Sequence, residues 1–128
     1  MASPTDILIV DDDDGIRQIL QLVLQRAGFT TVLAANVQEA QAILNPETVQ
    51  LIILDDMMPG ITGSEWCTML KADEDTRHIP VIMHSAYVRV SQPEYAARIG
   101  ADEVLLKPCP PREIVRMVES YCASSAAS

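Results

Sequence analysis

Basic side chains are scarce in this chain. Nine Lys and Arg stand against eighteen Asp and Glu in 128 residues, a formal charge of −9 at pH 7. That is the wrong sign for neutralising phosphates along DNA or RNA, so direct nucleic-acid binding is not expected. Long apolar runs are missing too: none approaches the roughly 20 residues of a membrane span. The opening MASPTD has neither the basic flank nor the apolar segment of a secretory signal. These absences predict a cytoplasmic protein without membrane attachment. The three cysteines, Cys67, Cys109 and Cys122, show no C-x-x-C or zinc-like spacing, which argues against disulfides and thiolate-bound metal. Reduced, mostly buried thiols are expected. His78 and His84 have no second ligand at metal spacing and are assigned a surface and a core role, respectively.

What is present fits one domain. At 128 residues, 48% apolar, the chain can bury one core but not two, and it contains neither an internal repeat nor an interdomain linker. The domain is expected over residues 1–122, with ASSAAS at 123–128 as a disordered tail because it has no apolar pattern. Short apolar, often β-branched runs recur at Ile7 to Val10, Thr31 to Ala34, Leu51 to Leu54, Val81 to Met83 and Val104 to Leu106. ILIV and LIIL are continuously apolar, the signature of parallel strands covered on both faces.

Helical patterns fill the gaps between these runs. Ile16, Ile19, Leu20, Val23 and Leu24 repeat at helical spacing before Gly28, a stop signal. Three further helix starts pair an N-cap residue with Glu three positions on: Asn36 with Glu39, Thr62 with Glu65, and Ser91 with Glu94. Trp66, Met69 and Leu70 are expected as a core stripe, and the last helix follows Pro110 and Pro111 with Ile114, Val118 and Tyr121 on one side. Five alternations of strand and helix, with right-handed crossovers, predict a three-layer doubly wound α/β sandwich around a five-stranded parallel sheet. Ligands are then expected beyond the carboxyl ends of the strands.

The charge concentrates at those ends. Residues 1–76 hold thirteen acids against three bases, and 77–128 hold five against six. Strand one runs into Asp11, Asp12, Asp13 and Asp14, strand three into Asp55 and Asp56, strand four into Ser85 and strand five into Lys107. Asp13 and Asp14 suit a helix N-terminus, where aspartates complement the dipole. If Asp11, Asp12 and Asp55 face one another, each pair repels by roughly 4 kcal/mol at 4 Å and an effective dielectric near 20, so a cation belongs among them. Oxygen ligands favour a hard divalent ion, and Mg²⁺ suits few carboxylates plus a phosphate oxygen better than caged Ca²⁺ does. A metal between carboxylates, with a hydroxyl and an ammonium opposite, is a site for a phosphoryl group.

ILIVDDDD, LIILDDMMPGITG, IPVIMHSA and ADEVLLKP, in this order and spacing, resemble the receiver domains of two-component response regulators, of the type represented by CheY. The match runs from residue 7 to about 122. The resemblance implies strand order 2-1-3-4-5, with Asp55 as phosphoacceptor for a phosphohistidine on a sensor histidine kinase or histidine phosphotransfer protein. It implies Mg²⁺, with Mn²⁺ as a possible substitute, held by Asp11, Asp12, Asp55 and the backbone carbonyl of Met57. Lys107 would pair with phosphoryl oxygens, the Lys107–Pro108 bond would be cis, Ser85 would be the switch hydroxyl, and small Ala86 would leave the attacking path open. Such a domain is a regulatory phosphoacceptor and not an enzyme with turnover. Its output is a switched surface of the fourth helix, fifth strand and fifth helix, meeting a downstream protein or a second copy in a phosphorylation-dependent homodimer. Arg89, Arg98, Arg112 and Arg116 lie on that stretch and suit an acidic partner.

Some positions depart from the family pattern. Val104 stands where Tyr or Phe is usual, Cys109 where Phe often follows Lys-Pro, and Thr62 where Asp is frequent. Asp56 adds an acid beside the acceptor and is expected to face away from it. Bulky Met57 and Tyr87 predict a slowly decaying phosphoform. Two other classes compete. DDDG at 12–15 fits the signature of haloacid dehalogenase-type phosphatases, but their second acidic pair follows the lysine, and here it precedes it. A receiver-like module regulated without phosphorylation is the other, favoured only by Val104 and Cys109.

Overall fold

Runs that are apolar at every position can be buried only between two layers. In the computed structural model, which describes the backbone of residues 6–86 and 92–127 and the side chains of 7–86 and 92–122, helices cover both faces of one sheet. The elements alternate as β1 (Asp6–Val10), α1 (Asp14–Arg26), β2 (Thr30–Ala34), α2 (Val37–Ile43), β3 (Val49–Leu54), α3 (Gly63–Ala72), β4 (Val81–Ser85), α4 (Pro93–Ile99), β5 (Glu103–Leu106) and α5 (Pro111–Ala127). The strands lie in the order β2-β1-β3-β4-β5 and every pairing is parallel, as the sequence and its resemblance predict. Among the described residues no helix is long and apolar enough to cross a membrane.

Alternation along each strand splits the core in two. Leu8, Val10, Ile52, Leu54, Val81 and Met83 pack with Val37 and Ala40 of α2, Trp66, Cys67 and Leu70 of α3, and Ile99 of α4. On the other face Ile7, Ile9, Leu51, Ile53 and Ile82 meet Leu20 and Leu24 of α1 and Ile114, Val118 and Cys122 of α5. Each fully buried Leu or Ile contributes roughly 1.5–3 kcal/mol relative to exposure, so the central strands hold the framework on which the loops are mounted.

Local chemistry sets the helix ends. Asp13 caps α1 by accepting from the Ile16 N–H at 3.1 Å, and Asp14 sits in its first turn, the roles expected of both. Asn36 accepts from the Glu39 N–H at 2.8 Å, and Thr62 with Glu65 completes a reciprocal capping box on α3. Gly28 takes φ +101 just past α1, a conformation that favours glycine at a helix stop. At α4 the structure differs from the sequence reading. The helix starts at Pro93 with Gln92 at its N-cap and no side-chain cap bond, because proline's fixed φ sets the first turn there. Ser91 lies outside the described residues.

Two further expectations are corrected. Met69 is 48% exposed, since the buried stripe of α3 runs Gly63, Trp66, Cys67 and Leu70 and Met69 falls on its flank. Residues 123–127, expected to lack structure, continue α5 as helix after a break at Cys122 (φ −119, ψ 18). A stretch of Ala and Ser without an apolar pattern still permits helix, alanine being the strongest helix former.

Gly63 opens α3 directly against the end of β3. A Cβ there would overlap the Asp55 carbonyl oxygen and lie 2.8 Å from the Asp55 carbonyl carbon; both are backbone atoms that cannot rotate away. Gly63→Ala should therefore destabilise the protein by about 3 kcal/mol or more in urea unfolding. A variant as stable as the parent would show that the contact relaxes at no cost.

Candidate functional site

The ladder carries the polar residues to one edge by continuing one step beyond three strands. The Asp11 N–H donates to the Ala34 carbonyl at 3.1 Å, the Asp55 N–H to the Val10 carbonyl at 2.9 Å, and the Lys107 N–H to the Ser85 carbonyl at 2.9 Å. In register, Val10 faces both Ala34 and Leu54, and Ser85 faces Leu106. The residues that follow are thereby held level at the carboxyl ends, at the switch point between β1 and β3, from which the connections run in opposite directions across the sheet. The Lys107–Pro108 peptide is cis, as the resemblance implied.

Carboxylate oxygens of Asp11, Asp12 and Asp55 all lie within 4.8 Å of one another. Asp11 and Asp55 are buried, at 2% and 4% exposure, and Asp12 is exposed. Lys107 bridges the buried pair, with Nζ 2.9 Å from Asp11 Oδ2 and 3.4 Å from Asp55 Oδ1. The Asp56 N–H donates to Asp55 Oδ1 and the Asp13 N–H to Asp11 Oδ1, each at 2.9 Å. Burial, then the charge of Asp11, pushes the Asp55 carboxyl up to about 6, with Lys107 and the Asp56 N–H opposing. Burial alone would lower Lys107, but its hydrogen bond to Asp11 and the charges of Asp11 and Asp55 hold the ammonium above the ordinary lysine range.

One ammonium against three carboxylates leaves the site two charges short. At about 5 Å and an effective dielectric near 20, each carboxylate pair costs roughly 3 kcal/mol. Three oxygen donors converging on a space left negative suit a hard dication, and the cluster is compatible with Mg²⁺.

The other expected residues fall as follows. Ser85 ends β4 fully buried. Met57 follows the acid pair with its side chain 62% exposed. Ala86 is exposed and, with Ile16, Pro108 and Cys109, lines an open apolar crevice of about 510 Å³. Val104 is half-buried against the α2–α3–α4 core. Asp56, although buried, lies outside the carboxylate cluster and accepts from the Ser64 N–H at 2.8 Å. Tyr87 and Arg89 lie outside the described residues. Burial pushes the Cys67 thiol up to about 12 and raises Cys109 and Cys122 as well, so all three are protonated and free. His78 is exposed and His84 buried, as expected.

Arg17 was missed in the sequence, and Asp56, expected only to face away from the acceptor, has a further role. Asp56 caps α3 from the strand end, which only the length of the intervening loop hinted at. Arg17 donates to the Asp11 carbonyl, and the Asp14–Arg17 spacing on one helix was a legible sign of its direction.

A family model described as the response regulator receiver domain matches residues 7–119. The chain belongs to this family. Over 114 residues the receiver is 39% identical to the phosphate regulon transcriptional regulatory protein PhoB of Pseudomonas aeruginosa, covering 89% of this chain and 50% of that protein. It thus spans about half the length of that relative. It is 34% identical to an uncharacterized 14.6 kDa protein of Leptolyngbya boryana, covering 91% of this chain and 89% of the other. Among solved structures, a CheY-like receiver from Methanospirillum hungatei superposes with TM-score 0.84 at 25% identity, covering 98% of both chains. Vibrio cholerae CheY4 superposes at 0.82 and 28%, covering 94% of this chain and 99% of that one.

The titrating groups of the receiver make opposite contributions to its pH dependence. Asp55 has a folded pKa near 6 against 3.8. Its stabilising contribution is therefore full below about 3.8 and is lost as pH rises through 6. In metal-free protein Asp55→Asn should be more stable than the parent by about 1–3 kcal/mol at pH 7.5, the gap closing towards pH 4 in urea titrations. An unchanged gap across that range would refute the assignment.

His84 acts the other way. Neither ring nitrogen has a hydrogen-bond partner among the described residues, and burial, then the Lys107 charge, lowers its pKa to about 4 from 6.5. Its contribution is full above about 6.5 and is lost as pH falls towards 4. His84→Met should stabilise the fold by about 1–3 kcal/mol at pH 7.5 by removing two orphaned polar atoms. The gain should grow at pH 4.5; a loss at both pH values would mean that the ring is satisfied.

Proposed function

We propose that Asp55 accepts a phosphoryl group from a phosphohistidine on a sensor histidine kinase or histidine phosphotransfer protein. The observation that carries this reading is the buried Asp11–Lys107–Asp55 bridge beside the third carboxylate. An Asp55 carboxylate oxygen attacks phosphorus in line; the new P–O bond replaces the P–N bond, and the electron pair leaves with the imidazole, which takes up a proton. Such a step needs positioning and charge neutralisation more than an acid–base relay. The backbone N–H of Asp56 holds one Asp55 oxygen, and Lys107, already within reach of both buried carboxylates, supplies an ammonium for the phosphoryl oxygens.

Asp11, Asp12, Asp55 and the Met57 carbonyl would hold Mg²⁺, or Mn²⁺ in its place. When bound, the ion offsets charge on the carboxylates and on the phosphoryl oxygens. The acyl phosphate adds about −1.5 to −2 of charge to an acidic pocket. Ser85 would answer it, from the strand end whose carbonyl accepts from the Lys107 N–H. Its movement would bias the α4–β5–α5 surface towards a downstream protein or a second copy. Arg98, Arg112 and Arg116 are exposed there. With Val104 at the usual aromatic position, this readout works through packing of β5 rather than rotation of a ring.

Incubation with acetyl phosphate and Mg²⁺, followed by intact mass, tests the assignment. The parent should gain one phosphoryl group and Asp55→Asn none, and Lys107→Ala should be labelled roughly 100-fold more slowly. Equal labelling of Asp55→Asn would refute the acceptor. No adduct from acetyl phosphate or any kinase would favour a module regulated without phosphorylation.

A further inference from the structure

A second cation reaches the acidic loop, and it does not touch the clustered carboxylates. Arg17, on the first full turn of α1, donates from Nη1 to the backbone carbonyl of Asp11 at 2.6 Å and from Nη2 to Asp14 Oδ1 at 2.7 Å. Its side chain is 16% exposed, whereas Asp14 is 71% exposed and is held also by Gln18 Nε2 at 2.9 Å. An ion pair with so exposed a partner contributes little. The part-buried bond to the Asp11 carbonyl is the one with consequences.

Through that bond all three polar groups of Asp11 are fixed. Its N–H is tied to Ala34 on β2, its carboxylate to Lys107 and the Asp13 N–H, and its carbonyl to α1 through Arg17. Without the last tie, the peptide joining Asp11 to Asp12 loses its anchor on the helix side, and that peptide sets where the exposed Asp12 carboxylate points. We propose that Arg17 is a positioning residue for the Asp11–Asp12 acid pair. The planar guanidinium fork meets both acceptors at once, which the single ammonium of lysine cannot do. This inference rests on the Mg²⁺ reading above and adds a residue to it.

The sign of one measurement separates positioning from simple electrostatics. As a charge alone, Arg17 repels a dication, so its removal would tighten Mg²⁺ binding; as a positioning group, its removal must weaken it. Calorimetric Mg²⁺ titration at fixed ionic strength should give a Kd about tenfold higher for Arg17→Met than for the parent, in the range found for outer-shell partners of metal ligands. Acetyl phosphate labelling at saturating Mg²⁺ should stay within about twofold. Arg17→Lys should fall between the two in affinity, and it carries the test if Arg17→Met does not fold by circular dichroism. Asp14→Asn, which removes only the exposed pair, should bind Mg²⁺ within about twofold of the parent. Equal or tighter Mg²⁺ binding by a folded Arg17→Met or Arg17→Lys would overturn the inference. A parent that binds no Mg²⁺ would overturn the metal reading itself, and this inference with it.

Discussion

Parallel pairing of β1 with β3 is the constraint on which the rest of the structure depends. Because Val10 and Leu54 are in register, the residues after them leave the sheet level and adjacent, and both are aspartates. The pairing bond itself extends to the second of them, the Asp55 N–H to the Val10 carbonyl. No side chain chooses this meeting of like charges. It is imposed by backbone hydrogen bonds and by the burial of ILIV and LIIL on both faces, and a slip of one residue would turn each strand's apolar set around.

The core is therefore what keeps an unfavourable cluster together. Carboxylates at about 5 Å repel by several kcal/mol in total, an amount comparable with burying two or three of the aliphatic side chains beneath them. Lys107 offsets part of it from the end of β5, two strands away from Asp55 and three from Asp11 in the sheet order, so a single side chain spans the site and ties the sheet edge to its centre. The remaining negative charge is what makes the cluster compatible with a dication. The raised carboxyl of Asp55 and the orphaned ring of His84 mark the same economy: local stability is surrendered at the carboxyl ends of the strands, next to the chemistry.

Much of this was legible in the residues. Continuous apolar runs gave the strands, their alternation with helical stripes gave the layers, and the polar residue after each run gave the edge, because in a parallel sheet every strand presents the same end. Asn36 and Thr62 announced their helices, since a side-chain oxygen followed by Glu at the third position satisfies donors within one turn. What was not legible depended on distances between segments. Met69 sits one residue from Leu70, but that step turns it about 100° around the helix axis and out of the core. The start of α4 turned on the geometry of Pro93, with Gln92 at the N-cap. The guanidinium of Arg17 reaches a backbone carbonyl, and a carbonyl leaves no trace in the identity of its residue. Asp56 showed as an extra acid, but its role as a cap on α3 requires that the loop from Met57 to Thr62 fold back on the strand end.

The absence of an aromatic at Val104 bears on how a charge at Asp55 would travel. Lys107 is held by side chain to Asp11 and Asp55 and by backbone to Ser85, so any shift in the preference of its ammonium pulls on the β4–β5 edge. Val104, two residues before Leu106 on β5, is half-buried in the same cluster as Tyr95 and Ile99 of α4. A valine is β-branched and stiff at χ1, and it has no ring to swing in or out. A displacement of β5 must then be passed on as altered packing against α4, not as a ring swinging between inward and outward positions. Packed contacts of this kind respond over a few tenths of an ångström and through many atoms. A receiver built this way would switch by degree of packing, and its two states would differ less at any single side chain than in a domain with an aromatic at this position.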